Sequence, residues 1–332
     1  MTHTVLSRRA LRALAAGTLV LGLGLGACSA PKENTSTESP AASASASQGA
    51  EDTAAAFPRD VDVHGQSVHL DAAPQRIAVA SPDAAVLLAA LVDGERFVAT
   101  PDFGPETPAG ATRIPGSHTV DPEQLLSMEP DLVVLTSRHG QEKDAASMLQ
   151  SSGVPTVVMP SDAWSSIDDL KENLSILGSV VGAEEKASEL NDSIQSKREE
   201  ITASLKKDTH PRVLTLMAHG GKKMLMPKST MLNGLVREAG GVPAIDEQGG
   251  HGVLPADPEV IAEMKPDVIL VQQFTENPEA EYRELLESPV LADVPAVKDH
   301  RVSYLPVSTS GETAGVAITE GLEQVGKAIG TL

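Results

Sequence analysis

The sequence predicts an α/β protein of two lobes, each a parallel sheet with crossover helices, joined by a long rigid helix and with a ligand cleft between them. Three observations predict it. Short runs rich in Val, Ile and Leu alternate with helical stretches, as buried parallel strands and their crossovers do. The alternation stops at a long polar segment, residues 167–207, and restarts after residue 210. About 275 residues follow the N-terminal low-complexity region, more than a single core usually holds.

Taken in order, Arg8, Arg9 and Arg12 precede an apolar stretch over residues 14–27 that is too short and too glycine-rich to span a bilayer stably. Residues 1–27 therefore read as a secretory signal peptide. The stretch ends in Leu25-Gly26-Ala27-Cys28, which resembles the bacterial lipobox, so Cys28 is expected to become the lipidated first residue of the mature chain. Cys28 is the only cysteine, so no internal disulfide can form. Residues 28–56, the lipidated Cys28 and a tract of Ser, Ala, Thr and Glu with almost nothing to bury, read as a disordered tether. The expected location is the outer face of the cell membrane, held by lipid alone.

The formal net charge is -20, and removing residues 1–27 takes three arginines and no acid, leaving -23. Such an acidic body excludes nucleic acid as a partner.

The first lobe, residues 57–165, has strands predicted over 77–80, 132–135 and 156–159 and helices over 84–91 and 122–128. Residues 166–209 are read as linking helices, because Ala187, Leu190, Ile194, Ile201 and Leu205 recur at spacings of three, four or seven and form one apolar stripe. A stiff helical link permits only small lobe motion. The second lobe, residues 210–332, has strands predicted over 213–216, 268–271 and 302–305 and helices over 230–239, 258–264 and 319–329. In both lobes a helix runs into a Pro-Asp step before a buried strand, at Pro130-Asp131 and Pro266-Asp267, since proline cannot continue the helix. Gly240-Gly241 ends a helix in the same local sense.

These pieces together resemble the class III periplasmic binding proteins. The resemblance rests on Ala73-Pro74-Gln75-Arg76-Ile77-Ala78-Val79, on the stretch from Val120-Asp121-Pro122-Glu123 to Met128-Glu129-Pro130-Asp131, on Leu235-Val236-Arg237-Glu238-Ala239-Gly240-Gly241, and on the stretch from Pro258-Glu259 to Lys265-Pro266-Asp267. It covers nearly all of residues 72–330. It implies Rossmann-like lobes and a non-enzymatic carrier that delivers haem, a ferric siderophore or cobalamin to an ABC permease and its ATPase. It also implies that one acid on each lobe meets arginines of the permease, and the motifs put these at Glu123 and Glu238.

The ligand should sit where strands of both lobes deliver their carboxyl ends. On the loops there lie His118, His139, His219 and His251, and imidazole is a good ligand for iron and other transition metals. A loop histidine is also an ordinary solvated residue. The local match is to haem-uptake lipoproteins of Gram-positive actinobacteria, in which a first-lobe histidine and a second-lobe tyrosine clamp the iron. Here His118 holds the histidine position, and Met217-Ala218-His219-Gly220 replaces the Tyr-x-Arg-Gly pattern, so the second axial ligand is Met217 or His219. Met217 as plain core filling is the competing reading.

Cations that would neutralise an anionic ligand are Arg113, Arg138, Lys222, Lys223 and Lys228, with Arg138 beside His139 the best placed. Phe103 and Trp164 are the aromatics expected near the cleft, and Met224, Met226 and Met231 line the pocket or the core.

Two other classes were weighed. A bare divalent cation would take His118, His139, His219 and a carboxylate such as Asp246. A surface hydrolase is not expected, since there is no Gly-x-Ser-x-Gly elbow, no His-Glu-x-x-His helix and no cysteine nucleophile. The lobes and linker suffice for a monomer.

Overall fold

Two large sheets form, one from each half of the sequence, beside a separate two-stranded one. The computed structural model describes residues 57–104, 108–115, 120–247 and 253–332. The expected signal peptide, Cys28 and the tether lie outside these residues.

The first half opens on an antiparallel hairpin, β1 (Arg59–Val63) and β2 (Gln66–Leu70), that was not predicted. Its turn residues His64 and Gly65 both have positive φ, 49° and 85°, the backbone of a tight two-residue hairpin loop. Then come β3 (Ile77–Val79), β4 (Phe97–Pro101), β5 (Thr112–Ile114), β6 (Leu132–Ser137) and β7 (Thr156–Pro160), a fully parallel sheet in the order β5-β4-β3-β6-β7. Its crossovers include α1 (Pro82–Leu91), α2 (Pro122–Leu126) and α3 (Gln141–Ser151).

Two helices follow, α4 (Ile167–Val181) and α5 (Glu184–Ala203). The latter has 20 residues, which span roughly 30 Å.

The second sheet contains β8 (Arg212–His219), β9 (Lys222–Leu225), β10 (Val242–Pro243), β11 (Leu254–Pro255), β12 (Val268–Gln273) and β13 (Val302–Pro306). It is mixed rather than purely parallel, because β9 returns antiparallel to β8 and β11 antiparallel to β9. Gly220 and Gly221, at φ 57° and 76°, make this reversal possible where a residue with a side chain would be strained. The helices here are α6 (Met231–Glu238), α7 (Pro258–Met264), α8 (Pro278–Leu286) and the C-terminal helix Ile318–Ile329.

The Pro-Asp steps have the same physical cause in both lobes. Glu129 and Lys265, at φ 50° and 46°, turn the chain out of α2 and α7. Asp131 then accepts the backbone N–H groups of Gln75 (2.7 Å) and Arg76 (2.8 Å), and Asp267 accepts that of Arg212 (2.8 Å). The helix starts are matched as well: Asp121 and Asp257 cap them by accepting from Glu123 N (3.0 Å) and Glu259 N (2.9 Å), each followed by proline at the first helical position. One constant interval separates Arg76 from Arg212, Asp121 from Asp257, Glu129 from Lys265 and Asp131 from Asp267. The two lobes are thus one motif used twice.

One apolar cluster runs through both lobes. It includes Ile77, Leu87 and Leu132 of the first, Leu170 and Leu177 of α4, and Leu235, Val268 and Leu322 of the second. Gly315, at φ 53°, lets the second lobe approach α1, since a Cβ there would lie 2.4 Å from Val86 Cγ1. The lobes therefore share a dry core beneath the cleft, and the linking helices are not their only connection.

Asp131→Ala is expected to cost about 2 kcal/mol of stability in urea unfolding and Asp267→Ala about 1 kcal/mol, because the first accepts two backbone donors and the second one. Negligible costs at both positions would contradict their role as strand anchors.

Candidate functional site

The strands of both sheets end at a shared cavity of about 490 Å³. From the first lobe it is lined by Pro82 and Asp83 after β3, Asp102 and Phe103 after β4, and Arg138 and His139 after β6. From the second come Phe274 after β12, Val307 after β13, and the turn residues Glu312 and Thr313. A larger hollow of about 590 Å³, lined by His64, Lys143 and Asp162 among others, belongs to the first lobe alone. We favour the inter-lobe cavity, because both lobes build it and its one arginine is fixed from below.

That fixing starts at the beginning of α1. Ser81 caps the helix and Asp83 sits in its first turn, where the positive end of the helix favours a carboxylate. Asp83 is 1 % exposed and accepts from the Ser81 hydroxyl, from Thr136 Oγ1 (3.4 Å) and from Arg138 Nη2 (2.7 Å). Arg138 is thereby held at the cavity wall with further N–H groups of its planar fork left over for an anion. Burial works to lower the Arg138 pKa, but the charges of Asp83 and of Glu312 on the opposite lobe outweigh it, and the net shift is upward.

His139 is positioned from the side. Glu142, in the first turn of α3, accepts both the His139 backbone N–H (3.0 Å) and its ring Nδ1 (3.2 Å). A carboxylate on Nδ1 fixes the orientation of the ring, as is common behind metal-bound histidines. Burial pushes the Glu142 carboxyl up, yet the N–H groups of Glu142 and His139 and the His139 ring outweigh it and hold it below the ordinary carboxylate range.

The other expected site residues are scattered. His118 and His251 lie outside the described residues, and nothing is described of the His219 side chain, although its backbone ends β8 opposite Lys222. Met217 is half-buried, pairs in register with Met224, packs against the shared core and does not line the cavity. Trp164 corrects an expectation: at 1 % exposure it is a core residue, a member of the same apolar cluster as Ile167 and Leu170, and it presents no face to a ligand. Arg113 is exposed on β5, Lys222 and Lys223 line a separate hollow along β9, and Lys228 donates to the Asp246 carbonyl (2.9 Å). Met224 lines that hollow, while Met226 and Met231 are core.

Glu238 is also corrected. Its carboxylate is bound by Arg198 of α5 at 2.7 and 2.8 Å, so it serves the joint between the linker and α6 rather than presenting a bare charge. The hydrogen bonds that Arg198 donates to Glu238 and to Asp168 raise its pKa. The exposed counterpart of Glu123 is Glu259, at the same place in the repeated motif. For the bare-cation reading, His118 and the His219 side chain are not described. Asp246 is held by Arg237 (2.5 Å), and no group of three His, Cys, Asp or Glu residues suited to a metal occurs among the described residues.

Sequence reasoning missed Asp83, Phe274 and Glu312 as individual residues. The Ser81-Pro82-Asp83 cap pattern could have signalled the first, whereas the other two needed the fold. Phe103 and Phe274 approach across the cleft with ring centroids 6.2 Å apart and planes inclined at 35°.

Comparison with known proteins decides the family. The sequence pattern of the periplasmic binding proteins matches residues 77–309. The chain belongs to this family. It is 25 % identical over 287 residues to an uncharacterized ABC transporter substrate-binding lipoprotein, YvrC of Bacillus subtilis, covering 84 % of this chain and 88 % of that one. Against the high-affinity heme uptake system protein IsdE of Staphylococcus aureus it is 25 % identical over 166 residues, 49 % of this chain and 56 % of that one.

Among solved structures, the periplasmic heme-binding protein RhuT of a Roseiflexus species superimposes with a TM-score of 0.67 at 22 % identity, over 77 % of this chain and 97 % of that one. A protein of an ABC-type Fe3+-hydroxamate transport system from Saccharomonospora viridis gives 0.66 at 20 % identity, over 83 % and 100 %. Those two likenesses establish the fold. As a member of this family the chain is the substrate-binding protein of an ABC importer, and it binds its ligand without transforming it. No helix among the described residues is long and apolar enough to cross a membrane.

Because the Glu142 pKa is lowered on folding, its contribution is present above the unfolded value near 4.3 and is lost as pH falls through the lower folded value. Glu142→Gln should therefore be about 1 kcal/mol less stable than the parent at pH 7, with the gap narrowing as pH falls below about 4.3. Denaturant unfolding across that pH range checks this, and a gap that does not narrow in acid would contradict it.

Proposed function

We propose that the protein captures haem in the inter-lobe cavity outside the cell and hands it to the permease and ATPase of an ABC importer. The observation that carries this reading is the lining itself: apolar walls from both lobes, an arginine locked by a buried carboxylate and an imidazole with a carboxylate at its back. An iron macrocycle with acidic side chains asks for these three chemistries together. A ferric siderophore is the second reading, favoured by the Fe3+-hydroxamate protein among the structural neighbours. Cobalamin is the third ligand the fold admits.

Within this reading Arg138 pairs with a carboxylate of the ligand, His118 or His139 supplies the first-lobe iron ligand, and of the two second-lobe candidates His219 is kept, since Met217 packs against the core and does not line the cavity. Residues 1–27 direct secretion and Cys28 carries the lipid that holds the carrier on the outer face of the membrane, a reading in keeping with the lipoprotein relative. Glu123 and Glu259, one on each lobe at equivalent capped helix starts, replace Glu123 and Glu238 as the proposed pair for the permease.

Absorption titration of the chain with ferric and then reduced haem tests the ligand. One haem per chain with a shifted Soret band is expected, weakened at least tenfold by His118→Ala or His139→Ala and by His219→Ala. Saturable binding of a ferric hydroxamate with no haem binding would reassign the ligand to the second reading. Charge reversal at Glu123 and Glu259 together should abolish cellular uptake of iron from the ligand and leave its affinity unchanged. Uptake that survives would contradict the docking assignment.

A further inference from the structure

We infer that Phe103 and Phe274 form an aromatic clamp, one ring from each lobe, that admits a flat conjugated ligand in preference to a globular chelate and does so without help from the metal. The inference rests on the proposed cavity and names what selects the ligand there.

This chain is poor in aromatics, with four Phe, two Tyr and one Trp. Trp164, Tyr282 and Phe97 are buried, and Tyr304 packs against Tyr282. Phe57 lies half-buried under the Arg59 guanidinium, 4.1 Å from its ring centroid. Phe103 and Phe274 are the exposed ones, at 43 % and 41 %, and both line the same cavity. Leaving a large ring in water forfeits the free energy that burial would release, so a core-building role does not explain this pair.

Their geometry suits a thin guest. A flat conjugated ring held between two aromatic faces needs a centroid separation of roughly 7 Å, two layers of ordinary carbon contact. The observed 6.2 Å is short of this by under one ångström, a displacement that lobes sharing a core can make. A chelate with donor groups on every side of its metal is several atoms thick and would have to drive the rings much further apart. The planes are inclined at 35° and the centroids already lie within the range of an aromatic pair, so insertion exchanges this one contact for a contact of each ring with the guest. Arg138 lines the same cavity beside the clamp, where its guanidinium can meet a carboxylate of the ligand.

The test uses the full chain with three probes: hemin, metal-free protoporphyrin IX and a ferric trihydroxamate. Wild type should bind hemin and the metal-free macrocycle, since stacking does not need iron. Phe103→Ala with Phe274→Ala should weaken the metal-free macrocycle roughly 10- to 100-fold, the range that aromatic stacking supplies. Leu at both positions, which keeps the apolar area and removes the π faces, should fall between. Melting temperatures should stay near that of the parent, because both rings are exposed. If the double Ala variant binds both porphyrins as tightly as wild type, the clamp is overturned while haem binding stands. If wild type takes the trihydroxamate and neither porphyrin, the haem reading is overturned and the clamp with it.

Discussion

The apolar cluster that passes under the cleft, from Ile77 and Leu87 through Leu170 to Leu235 and Leu322, sets what the rest of the molecule can do. Because the lobes share it, they cannot separate without exposing Leu and Val side chains that are fully buried, each worth roughly 1.5–3 kcal/mol. Ligand exchange must then proceed by small shifts at the rim. Gly315 against Val86 and Gly234 against the Ser165 carbonyl mark where the two halves come closest, at places where any Cβ would collide. The helical linker adds to this: Arg198 on α5 joins Asp168 on α4 to Glu238 on α6.

A rigid frame gives the cleft fixed chemistry. In an acidic chain, an anionic ligand is recognised only where a cation is held against the surrounding negative charge. The Asp83–Arg138 pair does this with a carboxylate that is itself buried and satisfied by Ser81 and Thr136, so the arginine is oriented before any ligand arrives. Glu142 does the equivalent for His139. Each partner sits in the first turn of a helix that starts where a strand ends, which is why the parallel architecture and the site are one design.

Much of the fold could be read from the chain. Asp121-Pro122 and its repeat Asp257-Pro258 are local caps whose partners lie two residues on, so sequence carries them. Pro130-Asp131 and Pro266-Asp267 are marked by the proline that ends each helix, although their aspartates bind backbone some 55 residues earlier. The end of β8 reads as loop, and β9 does not show as a strand, because Gly220-Gly221 followed by Lys222-Lys223 lacks the alternation of a strand pair. The site was legible only to the level of loops. Arg138 and His139 lie where expected, but Trp164 turned out to be core, since a lone aromatic carries no record of which way its ring turns. Phe274 acquires meaning only opposite Phe103, a pairing between residues far apart in sequence that a single chain without relatives does not disclose. Glu238 was misplaced for a related reason: its helix resembles the docking motif, while its partner Arg198 arrives from the linker.

The central claim is that the ligand occupies the cavity at the shared carboxyl ends of the two sheets, with the lobes moving little to receive it. A crystal structure of the protein grown with hemin tests this most directly. The account predicts the macrocycle between Phe103 and Phe274, a carboxylate on Arg138, and lobes whose common core is unbroken. A macrocycle seated in the first-lobe hollow beside His64 and Lys143, or lobes swung apart with the core divided, would contradict it.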